Sequence, residues 1–109
     1  MSANATLHTD NTVEIRLSGE IDFANADELR TQLSWALGQL PTGVALDLQD
    51  LDYLDSAGIG EIMRAQRLLG ARGLVLSVRG ANPTIRNLFE IMGLHLIVHL
   101  EPLPVAEPR

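Results

Sequence analysis

Tyr53-Leu54-Asp55-Ser56-Ala57-Gly58-Ile59-Gly60 is the stretch on which the reading of this chain turns. Upstream of it, Val44 to Leu48 is a short apolar run, interrupted only by Asp47, and reads as a strand. Downstream, Ile59, Ile62, Met63, Gln66 and Leu69 recur at helical spacing, which predicts a helix from about Ala57 to Ala71 with those residues inward. Ser56 therefore stands at or next to a helix N-terminus, on a strand-to-helix turn facing solvent. A serine there is a natural N-cap. It is also where an added phosphate would meet free backbone N–H groups and the positive end of the helix dipole.

Working outward, the N-terminal side alternates cleanly over Thr12 to Ser18. Val13, Ile15 and Leu17 fall on one side and Glu14, Arg16 and Ser18 on the other, as in a half-buried strand. Asp10-Asn11 is turn-like, with Ala5 to Thr9 as a weak first hairpin strand. Gly19 is expected to end the strand. Leu29, Leu33, Ala36, Leu37 and Leu40 mark a helix from about Ala24 to Leu40, which Pro41-Thr42-Gly43 breaks. On the C-terminal side Gly73 closes the second helical unit and Leu74 to Val78 reads as a strand. Asn82-Pro83 pairs an N-cap with proline at the first helical position. Ile85, Leu88, Phe89 and Met92 supply the buried stripe of that helix, Gly93 its stop, and Leu96 to Leu100 a last strand.

Strands alternating with helices imply right-handed crossovers and a parallel sheet. The expected fold is α/β: one domain over 1–109, core about 5–100, with a mixed sheet of about five strands. The leading hairpin is antiparallel, the remainder parallel, and about three helices pack on it. The segment Glu101 to Arg109 carries Pro102, Pro104 and Pro108, so no helix is expected there.

Composition removes several function classes. With 109 residues, 46% of them hydrophobic, the chain can bury a real core. No run approaches the ~20 apolar residues of a membrane span, and Met1 to Asn11 does not look like a signal peptide, so the cytoplasm is the default compartment. There is no cysteine, which excludes disulfides and thiolate chemistry. A net charge of −6 and dispersed arginines disfavour nucleic acid as a partner, and the absence of lysine reads as coding bias rather than function.

These residues resemble a known family. Leu17-Ser18-Gly19-Glu20-Ile21-Asp22, then Leu46-Asp47-Leu48 and Leu51, then Asp55-Ser56-Ala57-Gly58-Ile59-Gly60, and finally Pro83, Leu88, Phe89, Gly93 and Leu94 are similar to a STAS domain of the bacterial anti-sigma factor antagonist type. The similarity spans about Thr12 to Leu100. It implies a switch protein with no catalytic chemistry and no cofactor of its own. Ser56 would be phosphorylated by an anti-sigma factor that is also an ATP-dependent serine kinase. The unmodified form would bind that factor and free a sigma factor; a metal-dependent serine phosphatase would reset the modified form. The implied partner surface is Asp22, Asp55, Ser56, Ala57, Gly58 and Gly60. Many relatives carry a second hydroxyl where this chain has Ala57, and many end in a further helix. Self-association, as monomer or weak dimer, stays open.

Each candidate also has a plainer reading. Ser56 is either a cap, a phosphosite or both. Asp22 and Asp55 are turn or cap residues, or contacts for a partner; with Asp52 they are expected at one edge, after strands. Gly58 and Gly60 permit close approach at the helix start or form an ordinary tight turn. Trp35 points away from Leu29, Leu33 and Leu40, as a contact surface or as cover for a neighbouring loop. His95 and His99 flank a strand-like segment ~13 Å long, too far apart for one metal ion, and His8 is isolated. A serine hydrolase lacks a G-x-S-x-G elbow, since Leu54 stands two before Ser56. A phosphoryl or Mg²⁺ site from Asp47, Asp50, Asp52 and Asp55 lacks a lysine to neutralise phosphate. A STAS scaffold or accessory subunit that is never phosphorylated is the remaining rival.

Overall fold

Each parallel connection steps one strand further in the same direction, and that decides the architecture. In the computed structural model, which describes residues 1–102, the strands are β1 (Ser2–Leu7), β2 (Thr12–Ile21), β3 (Gly43–Leu54), β4 (Ser77–Arg79) and β5 (His99–Leu100). Helices α1 (Ala26–Gly38), α2 (Ser56–Gly70) and α3 (Pro83–Ile91) link β2 through β5, with a 3-10 turn at Leu94–Leu96. Strand order is β1-β2-β3-β4-β5, antiparallel for the first pair and parallel thereafter. Three right-handed crossovers that all advance the same way lay their helices on one face. One core accordingly joins Leu29 and Leu33 of α1, Ile59 and Ile62 of α2, and Ile85 and Phe89 of α3 to Ile15, Leu46 and Val78 of the sheet.

The other face carries charge in register. Arg16, Asp47 and Arg79 are partners across β2, β3 and β4. Asp47 Oδ2 lies 3.6 Å from Nε of both arginines. Arg79 also pairs with Glu14, which raises the arginine pKa and keeps its charge fixed. Asp47 interrupts the apolar run of β3 because strand side chains alternate, and its side points away from the helices.

The hairpin turn is built by Asp10 and Asn11. The Asp10 carboxylate accepts from the Thr12 amide (3.0 Å) and hydroxyl (2.7 Å), while Asn11 adopts φ 66°. Asn11 Nδ2 then donates to the Leu40 carbonyl at 2.9 Å, tying the hairpin to the end of α1.

Several expectations are corrected. Leu40 is not on the buried stripe: it sits beyond α1 at φ 50° and is 71% exposed, because the residue before Pro41 is barred from continuing a helix. β2 passes through Gly19, whose φ of 82° lies at a register shift, and ends at Ile21. β3 runs on to Leu54. β4 is shorter than predicted, because Gln66 of α2 takes the strand's groups: its Oε1 accepts from Leu76 N–H (2.6 Å) and its Nε2 donates to the Leu74 carbonyl (3.3 Å). Leu96 to Val98 is not strand; Gly93, at φ 73°, leads into the 3-10 turn. Met63 and Met92 are exposed rather than inward: Met92 lies past the end of α3, and Met63 flanks the side of α2 nearest Ile97. Of the segment 101–109, residues 103–109 lie outside those described.

Candidate functional site

The C-terminal ends of parallel strands converge where β2 hands over to α1 and β3 to α2. Asp55 is the hinge of this edge. It is the last extended residue (φ −104°, ψ −175°), and its N–H still bonds the Ile21 carbonyl at 3.1 Å. From that conformation its Oδ1 reaches over the first turn of α2 and accepts from Ala57 (2.9 Å) and Gly58 (3.3 Å). Asp55 is therefore the N-cap, and Ser56 is the first helical residue; the expectation of Ser56 as cap is corrected by one position. The Ser56 side chain is exposed on this edge.

The second oxygen of the same carboxylate, Oδ2, accepts from Phe23 N–H at 3.1 Å. One side chain thus holds together the start of α2 and the loop before α1. That loop is closed on itself. Asp22 Oδ1 accepts from Ala24 N–H (2.9 Å), Asn25 Oδ1 accepts from Asp22 N–H (2.9 Å), and Asn25 Nδ2 donates to the Glu20 carbonyl (2.9 Å). Asp22 is a turn former here. Asn25 holds the N-cap position of α1, but its side chain turns back to the loop rather than capping.

Three of the N–H groups at the helix start are engaged rather than free as first expected. Ala57 and Gly58 N–H groups are taken by the Asp55 carboxylate, and Ile59 N–H by the Asp55 carbonyl at 3.0 Å. The Asp55 carboxylate stands one residue before Ser56.

The six expected contact residues separate. Asp22, Asp55 and Ala57 are partly buried, Ser56 and Gly60 exposed. Gly60 has open space where a Cβ would sit. Gly58 is buried, and a Cβ there would lie 2.3 Å from Leu54 Cδ1 and 2.9 Å from Ile21 Cγ2. Its expected place in the partner surface is corrected to an interior one: it lets α2 close onto β2 and β3. Ser56, Gly60 and Met63 line the exposed side of α2 at i, i+4 and i+7. Asp52 is exposed near the end of β3, on the same edge.

Two aromatics at this edge were not assigned a role from sequence. Phe23 is 84% exposed and Tyr53 is 49% exposed. Tyr53 borders a groove of about 310 Å³ against Thr84, Leu88 and Ile91 of α3. The available signal was compositional: a phenylalanine inside the turn-forming run Asp22 to Asn25, in a chain with four aromatic residues.

The other candidates fall elsewhere. Asp47 and Asp50 point to the open sheet face beside Arg16, away from Asp55. Trp35, 42% exposed, lies in the last turns of α1, at the opposite end of the sheet from Ser56. Among the described residues no three His, Asp or Glu side chains gather in a metal-binding group. No helix there is long and apolar enough to cross a membrane.

A five-stranded mixed sheet with helices on one face is the architecture of the domain family this chain matches. The family model described as "Mlab, STAS domain" matches residues 4–100, and the chain belongs to the STAS domain family. It is 30% identical over 92 residues to an anti-sigma F factor antagonist of Paenibacillus polymyxa, covering 84% of this chain and 79% of that protein. The unphosphorylated form of the anti-sigma factor antagonist SpoIIAA superposes with a TM-score of 0.75 at 25% identity, covering 94% of this chain and 90% of that one. The phosphorylated form of the Bacillus SpoIIAA gives 0.72 at 27% identity, covering 94% and 93%.

Proposed function

We propose that the chain is an anti-sigma factor antagonist switched at Ser56. Unmodified, it binds an anti-sigma factor that is also a serine kinase, and so releases a sigma factor. Phosphorylated, it lets go, until a serine phosphatase restores the alcohol. The chain itself does no catalysis in this scheme; ATP belongs to the kinase.

The observation that carries this reading is the placement of Ser56: exposed, at the first turn of α2, directly after a carboxylate that already occupies the neighbouring amides. A phosphoryl group adds roughly −1.5 to −2 charge at that point. With Ala57 and Gly58 N–H engaged, it gains little from the helix and is repelled by Asp55. It also fills the space against which a partner packs. A loss of ~3 kcal/mol at an interface lowers affinity more than a hundredfold, enough for a switch without refolding. That the phosphorylated and unphosphorylated forms of a relative superpose comparably on this chain is in keeping with such a mechanism.

The test is to incubate the protein with candidate anti-sigma factor kinases and ATP, and to follow mass gain at Ser56. Ser56→Ala is expected to take no phosphate and to keep the partner bound; Ser56→Glu is expected to bind about a hundredfold more weakly. Equal affinity of the two variants would refute the charge mechanism. The description of the matching family model favours one other reading, a STAS accessory subunit that docks by the same edge unmodified. In that case no kinase labels Ser56.

A further inference from the structure

The chain has two phenylalanines, and they are used in opposite ways. Phe89 is fully buried in the core, whereas Phe23 is 84% exposed, the most exposed large apolar side chain among the described residues. A ring left in water contributes nothing to folding, and Phe23 is not left there by a loose segment. Its own N–H is held by Asp55, and Asp22, Ala24 and Asn25 N–H are each bonded within the loop. The ring is thus displayed from a fixed platform, so little ordering entropy opposes its capture. The fixing group is the carboxylate that also caps the helix opened by Ser56. Through Asp55 the Phe23 loop is fixed directly beside the start of α2.

We infer that Phe23 is the apolar anchor by which the partner kinase is selected: it enters an apolar cleft on that kinase and holds the two proteins together while Ser56 is modified. The inference rests on the reading of Ser56 as the switch. The partner it fits has a pocket wide enough for a phenyl ring; a kinase with a polar or filled surface there is rejected. Anchors of this kind, rigid and aromatic at the centre of an interface, carry most of the binding energy. Because the ring binds equally before and during transfer, its loss acts on KM and Kd rather than on kcat.

The experiment uses the full chain and the purified anti-sigma factor kinase that labels Ser56 in the assay above. Phe23→Ala is expected to weaken Kd and raise KM by about tenfold or more, with kcat unchanged. Phe23→Leu, still apolar, is expected to recover most of the loss. Thermal unfolding of both variants should match the parent, since the ring has no packing role of its own. A Kd within twofold of the parent for Phe23→Ala overturns the inference. So does a fall in kcat alone, or a loss of binding accompanied by a lower Tm. A parallel Ser56→Glu arm separates the two claims: if it loses the partner while Phe23→Ala does not, the anchor fails and the switch stands; if it binds normally, the switch itself fails.

Discussion

Removing the Asp55 carboxylate should loosen two segments at once, and the size of the effect follows from its three hydrogen bonds. Asp55→Ala deletes the N-cap of α2, which costs about 1 kcal/mol. It also frees Phe23 N–H from a charged acceptor; because that bond is solvent-exposed, about 0.5–1 kcal/mol is the appropriate figure rather than the larger value of a buried one. The sum is about 1.5–2 kcal/mol. For a domain of this size each kcal/mol moves Tm by roughly 4–8 °C, so a fall of about 6–16 °C is expected in a circular-dichroism melt. Asp55→Asn separates the two parts. Asparagine is as good a cap as aspartate, but its side-chain nitrogen cannot accept from Phe23. Amide exchange should therefore stay slow at Ala57 and Gly58 and quicken at Phe23 in Asp55→Asn, while all three quicken in Asp55→Ala. An Asp55→Ala melt within 1 °C of the parent, or equal release of both segments in Asp55→Asn, would refute the picture of one carboxylate joining loop to helix.

Three other outcomes follow from the packing. Gln66→Ala strands the buried Leu76 N–H and the Leu74 carbonyl, and should cost about 1–3 kcal/mol in urea denaturation. Gly58→Ala puts a methyl against Leu54 and Ile21 and should destabilise by about 1–3 kcal/mol, whereas Gly60→Ala, with open space around it, should stabilise by about 0.5–1 kcal/mol. Thr12 holds the Asp10 carboxyl below its ordinary value of 3.8 by donating hydrogen bonds to it from hydroxyl and amide. The stability this gives is present in full above that value and disappears as pH falls through the lower folded one. Stability of the parent should therefore drop more steeply at acid pH than that of Asp10→Asn, and superimposable acid limbs in pH-dependent melts would contradict it.

The order of elements was legible because it rests on local signals. Alternation in Val13, Ile15 and Leu17, proline after Asn82 and glycine at 93 each act within a few residues. What could not be read was long-range exchange of hydrogen bonds. Nothing near Leu74 or Leu76 announces that Gln66, eight to ten residues earlier, will take their groups and shorten β4. The cap fell on Asp55 rather than Ser56 because both residue types suit the position, and the choice depends on where β3 stops pairing with Ile21. The exposure of Phe23 depends on a bond from Asp55, thirty-two residues away in sequence.

The two borders of the sheet are unequal. β1 runs for six residues, with Ser2, Asn4 and Thr6 facing the open side, while β5 has only two. A stub of that length displays too few unpaired amides and carbonyls to template another chain. Among the described residues edge-to-edge growth has just one long border to use, so a β1-to-β1 pairing would close on itself and leave a stub at each extremity. Among the described residues, the short last strand leaves no second long border on which edge pairing could continue towards a fibre.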